Sequence, residues 1–154
     1  MRVHLGGDHA AYDLQRALVA HLTAAGHEVI DHGPLSYDAL DDYPVFVLRA
    51  AKAVADDPGS AGIVLGGSGN GEVMAANKVP GIRAAYAASI ELAELAREHN
   101  DAQIISMGGR FTDIDTGCAI ADAFLATSFS GDERHERRLA MVSRYEVDGS
   151  LPGA

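Results

Sequence analysis

Apolar residues fall into two kinds of pattern along the chain. Ile63-Val64-Leu65 is a short continuous run rich in β-branched side chains, and the short stretches 1–5, 28–32, 82–86 and 103–107 have the same extended character. Runs of this length bounded by Gly, Pro or Asp predict buried strands. Between them the apolar spacing lengthens. Leu14, Leu18 and Leu22 recur every four residues and predict a helix from about Ala10 to Ala25, closed by Gly26. Asp41-Asp42-Tyr43-Pro44 opens a second helix, with Pro44 suited to its first turn, that runs to about Ala55. Glu72 to Lys78 reads as a short helix, and Ser89 as the N-cap of a helix through Glu98. Ile114, Cys118, Ala121 and Leu125 share one face of a further helix. A last, highly charged helix spans about Gly131 to Val147. Strand and helix alternate five times. The expected fold class is α/β: a five-stranded parallel sheet in a three-layer α/β/α sandwich, with a C-terminal helix. The whole of residues 1–154 is expected to form one domain, with 148–154 as a loose tail.

In such sheets ligands bind beyond the carboxyl ends of the strands, at a topological switch point. Three polar, glycine-marked stretches follow strand ends: Gly6 to His9, Gly66 to Glu72 and Gly108 to Arg110. The middle one, within GIVLGGSGNGE, has four glycines in six residues, and this density sets it apart. A strand running through glycines into a helix start presents backbone N–H groups to an anion or a developing oxyanion. Glu72 falls in the first helical turn, facing the same cavity. The alternative is a tight turn without a ligand. The stretch lacks the second Gly of a hydrolase elbow around Ser68, the GK[ST] of a P-loop and the spacing of a dinucleotide fingerprint.

Other candidates carry their own bland alternatives. Asp8-His9 is an acid/base pair or a polar turn. Arg134 and Arg138, four apart, suit a phosphate or form a solvated face with Glu133 and Glu136. Cys118 sits on an apolar stripe, as a structural thiol does. His99-Asn100 follows a helix and precedes the fifth strand, so it lies at the opposite edge of its own subunit. If His99 serves the glycine-loop cavity, a second subunit must bring it, and an oligomer is expected.

Composition narrows the class. The chain is 47% hydrophobic and carries a net charge of −10, which disfavours nucleic acid or an anionic membrane. No run of about 20 apolar residues is present and the N-terminus lacks a long apolar segment, so neither a span nor a secretory leader is expected. One cysteine allows no internal disulfide and fits a reducing cytoplasm. No paired-Cys or H-x-x-x-H spacing suggests a metal.

GGDHAAYDL, DDYP, GIVLGGSGNGE with AANKVPGIRAA, EHNDAQIISMGGR and the terminal ERHERR occur together and in order. With them the chain strongly resembles the type B ribose-5-phosphate isomerases, in the family that includes galactose- and allose-6-phosphate isomerases. The resemblance covers nearly the whole chain. It implies a Rossmann-like fold, a homodimer or a pair of dimers with shared sites, no metal and no cofactor. The implied reaction interconverts ribose 5-phosphate and ribulose 5-phosphate in the pentose phosphate pathway. Many family members carry Cys where this chain has Ser68; the resemblance to the Ser-bearing branch implies use of the Glu that maps to Glu72. The resemblance therefore implies Glu72, Ser68, His99 and Asp8 as catalytic groups. It implies His9, Tyr43, Gly67, Gly69, Asn70, Gly71, Asn100, Arg110, Arg134 and Arg138 as substrate-binding groups. Gly7 and Ala11 depart from the usual first loop, a minor change. The rival reading is a non-catalytic nucleotide-binding module resembling a universal stress protein. That module wants wider glycine spacing and has no use for His99.

Overall fold

The computed structural model describes residues 1–153; Ala154, the end of the expected tail, lies outside the described residues. Five strands, β1 (Arg2–Gly7), β2 (Glu28–Asp31), β3 (Ala61–Gly66), β4 (Ala84–Tyr86) and β5 (Ile104–Gly108), form one sheet in the order β2-β1-β3-β5-β4. Every pairing is parallel. Helices α1 (Tyr12–Ala24), α2 (Tyr43–Asp56), α3 (Asn70–Ala76), α4 (Ile90–Asn100) and α5 (Ile114–Ala126) connect or follow the strands, and α6 (Glu133–Asp148) comes last. The expected α/β architecture is observed.

The three central strands, β1, β3 and β5, are buried on both faces, while the edge strands β2 and β4 are only partly covered. Along β3, Ile63 and Leu65 face a core with Leu14, Leu18, Leu22, Ile120 and Phe124, whereas Val64 faces one with Val47, Ala50, Val54 and Ala76. So α1, α4 and α5 cover one face of the sheet, and α2 and α3 the other. Side-chain alternation in each strand feeds both layers. Gly6 admits α2 closely: a Cβ there would meet the Phe46 carbonyl oxygen at 2.6 Å.

Caps fix the helix starts much as expected. Ser89 Oγ accepts from the Leu92 N–H, Pro44 lies in the first turn of α2, and Gly26, at φ +87°, ends α1. Two expectations need correction. β1 runs on through Gly6 and Gly7, because both pair with β3. The buried stripe of α5 is Gly117, Ile120, Ala121 and Phe124, while Ile114 is exposed and Cys118 and Leu125 only half-buried. Gly117 takes the contact: a Cβ there would meet Leu14 Cδ1 at 2.6 Å, so α5 packs through its backbone at that turn. No helix among the described residues is long and apolar enough to cross a membrane.

Candidate active site

The chain order places β1 between β2 and β3, so successive connections leave β1 in opposite directions. The crevice this opens lies between the carboxyl ends of β1 and β3, with β5 alongside. All three glycine-marked stretches meet there. Asp8 N–H donates to the Leu65 carbonyl at 3.1 Å, Gly109 N–H to Gly66 at 2.8 Å and Arg110 N–H to Gly67 at 3.2 Å. Close backbone approach is what the glycines permit. A Cβ at Gly108 would stand 2.6 Å from the Ser68 carbonyl oxygen, and one at Gly109 2.8 Å from Ala11. The unusual Ala11 is accommodated by that glycine. Gly7 is likewise required by Gln15, whose Oε1 lies 2.6 Å from a Cβ built there.

Gly69 has φ +83° and turns the chain from loop into α3. Its carbonyl accepts from the buried Ser106 hydroxyl at 2.8 Å, which pins the loop to β5. Ser68 is half-buried, and its Oγ accepts from the Asn70 N–H at 3.3 Å. Arg110 lies across the loop, with Cζ 3.2 Å from where a Cβ on Gly67 would be. Tyr43, at the start of α2, covers Gly71 with its hydroxyl at 2.8 Å from a corresponding Cβ. Glu72 turns back beneath the loop and is only 4% exposed.

The titratable groups are shifted by this enclosure. Burial raises the Glu72 ionisation, and the nearby Asp8 charge adds to the rise, while the amides of Glu72 and Gly69 oppose it. Burial also raises Asp8, whose carboxylate caps the Ala10 N–H at 3.0 Å. His9 is raised by its hydrogen bond to Asp41, at 2.7 Å. Donor atoms of Asp8, His9 and Asp41 lie within 4.8 Å of one another, a spacing that a cation could bridge, but the His9–Asp41 bond already engages two of them. A shallow cavity of about 260 Å³ opens beside His9, lined by Ala10, Tyr12, Tyr37 and Gly109. A larger one of about 530 Å³ lies at the other end of the sheet. Its Arg97 is already paired with Asp101 and the Ala102 carbonyl.

His99, Asn100, Arg134 and Arg138 are not brought to this cluster within one subunit. His99 and Asn100 form the last turn of α4, which returns to the amino end of β5. His99 stacks on His135 of α6 with ring centroids 4.4 Å apart. Arg134 and Arg138 sit on that helix, exposed, and Arg134 approaches Asp132, at 3.6 Å. Ser106 and Asp41 join the site without having been expected there. The one polar side chain inside the Ile104–Met107 run marks Ser106; only the DDYP stretch points to Asp41.

A parallel α/β/α sandwich here carries an enclosed carboxylate under a glycine loop at its switch point, an arrangement suited to acid/base chemistry on a small molecule. The chain belongs to the Ribose/Galactose Isomerase family, whose profile matches residues 3–142. It is 56% identical over 152 residues to ribose-5-phosphate isomerase B of Mycobacterium tuberculosis, covering 99% of this chain and 94% of that one. Among solved structures, Clostridium thermocellum ribose-5-phosphate isomerase B superposes with a TM-score of 0.92 at 40% identity, over 97% of this chain and all of that one. The Mycoplasma genitalium enzyme with bound ribulose 5-phosphate superposes at 0.91 and 36% identity, over 96% and 97% of the two chains.

Proposed function

We infer that the chain is an aldose–ketose isomerase that interconverts D-ribose 5-phosphate and D-ribulose 5-phosphate through an enediolate, without a cofactor. The observation that carries this reading is Glu72: a carboxyl enclosed under Gly66, raised in ionisation and placed at the switch point. The names of the relatives and the ribulose 5-phosphate held by the Mycoplasma genitalium enzyme supply the substrate class.

The reaction moves a proton between C2 and C1 of the sugar. Glu72 takes it from one carbon and returns it to the other, and desolvation makes its carboxylate a stronger base than a solvated one. The N–H groups of Gly69, Asn70 and Gly71 receive the oxyanion, Gly69 turning from the Glu72 carboxylate and Asn70 giving up its bond to Ser68 Oγ. Ser68 then relays a proton among the sugar oxygens. Asp8 accepts the proton of the ring hydroxyl and His99 protonates the ring oxygen as the furanose opens. Asn100 supports His99, and Tyr43 and Gly67 wall the sugar. His9, Arg110, Arg134 and Arg138 hold the phosphate, fixing the reacting carbons over Glu72.

Because His99, Asn100, Arg134 and Arg138 lie at the far end of their own sheet, we assign them to a second copy. The working unit is then a homodimer with two shared sites, or a pair of such dimers. The acidic chain with one free thiol fits a cytoplasmic enzyme of the pentose phosphate pathway. A coupled assay across five- and six-carbon sugar phosphates tests the reading. The expected outcome is preferential turnover of ribose 5-phosphate. Preference for a hexose 6-phosphate would move the chain elsewhere in the family, and nucleotide binding without turnover would overturn the enzyme reading.

A further inference from the structure

We propose that Asp41 is a positioning residue of the site: its buried carboxylate holds the His9 ring as a cation and turns Nε2 outward to the substrate's phosphate. This rests on the assignment of His9 to the phosphate end of the proposed site. Asp41 Oδ1 accepts from two groups of one residue, the His9 N–H at 3.0 Å and the His9 ring Nδ1 at 2.7 Å. A carboxylate has no proton to give, so Nδ1 is the donor. The opposite ring nitrogen then faces away from Asp41, on a side chain that is 26% exposed beside the cavity.

The Asp41 side chain is only 8% exposed, and its Oδ2 is buried without a hydrogen-bond partner. A carboxylate so enclosed is costly unless a cation faces it, and His9 is the cation in contact. The other groups around the ring are Asp8, which also favours the cation, Arg110, which opposes it, and the Tyr37 ring, edge-on at 6.2 Å. The hydrogen bond to Asp41 outweighs burial and Arg110. Local chain geometry holds Asp41 in place. Its N–H donates to the Asp38 carbonyl at 3.1 Å, and two residues on, Tyr43 lies over Gly71. One short segment therefore touches both the His9 turn and the glycine loop.

Asp41→Asn keeps an acceptor for both donors and removes the charge, so it separates charge from shape. NMR titration of the His9 ring in the full chain should show an ionisation above the ordinary ~6.5, falling back in Asp41→Asn as the charged hydrogen-bond partner is lost. The KM for ribose 5-phosphate, taken as a ratio of variant to parent at each pH, cancels the substrate's own ionisation. It should rise several-fold at pH 7.5 and return towards one near pH 5.5, where an ordinary histidine is protonated anyway. The kcat should stay within about threefold. A His9 ring titrating at or below the ordinary value in the parent protein overturns the proposal without need of the variant. A shifted ring with a KM ratio that is flat in pH overturns its phosphate half, and with it the placement of His9 at the phosphate. An altered KM at every pH, with an unmoved ring, leaves Asp41 a purely structural residue and also overturns it.

Discussion

Glu72 occupies the space that a side chain at Gly66 would need. Its Oε1 lies 1.9 Å, and its Cδ 2.2 Å, from where a Cβ on residue 66 would stand. Gly66 is the last residue of β3 and pairs with Gly108, so its backbone cannot retreat without breaking the sheet. Any side chain there must expel the carboxylate from beneath the loop.

Gly66→Ala should therefore mimic loss of Glu72 while leaving Glu72 in the chain. Turnover should fall by about 10² to 10⁴, the range for removing a general base. Circular dichroism and oligomer size should be unchanged. Near-native turnover in folded Gly66→Ala would show that the reaction does not need Glu72 where the structure puts it.

Much of this site is legible in the amino-acid sequence, and the reason is physical. Parallel strands covered on both faces read as unbroken apolar runs, so Ile63-Val64-Leu65 and the glycines after it announce both the strand and its exit. The face of α5 is not legible, because the deciding contact is made by Gly117, which has no side chain to count. Ser106 and Asp41 escape for another reason. Their roles arise from partners 37 and 32 residues away in the chain, the Gly69 carbonyl and the His9 ring. No local pattern encodes such a meeting.

The separation of His99 from Glu72 within one subunit predicts complementation. Mixing His99→Asn with Glu72→Gln protein under subunit exchange should restore one intact site per hybrid dimer, with roughly native activity per site. Arg138→Ala should complement Glu72→Gln in the same way, since α6 stacks on α4 through His135 and His99. Proven exchange without recovery would place each whole site in one subunit.

The enclosure of Glu72 also sets a pH dependence of stability. Its ionisation is raised in the fold, chiefly by burial and then by Asp8. A raised carboxyl favours the fold while protonated, and that contribution is lost as pH rises through the folded value. Glu72→Gln removes the buried charge and keeps the shape. Its Tm should exceed that of the parent protein at pH 8, by roughly 2–4 °C for each kcal/mol recovered. The gap should close in acid, below the ordinary ~4.3 of a glutamate, where both side chains are neutral. A Tm difference independent of pH would show that the buried charge is not what destabilises the fold.

Glu72, and not Ser68, is expected to abstract the proton. Ser68 stands where a thiolate would serve, but a serine hydroxyl stays protonated near neutral pH and its Oγ is already engaged by the Asn70 N–H. A carboxyl can be tuned by burial, and Glu72 is so tuned. Glu72→Gln should lower turnover by about 10² to 10⁴ with folding intact. Ser68→Ala should cost less, since it removes a relay and one hydrogen bond. Ser68→Cys should retain activity, because a thiol at this position has a proton-accepting form within reach of neutral pH. The deciding measurement is exchange of the substrate's C2 proton with deuterated solvent, because it reads proton abstraction apart from product release. Exchange should be lost in Glu72→Gln and persist in Ser68→Ala. The reverse result, native exchange without the carboxylate and none without the hydroxyl, would transfer the base to Ser68 and leave Glu72 as a buried support for the loop.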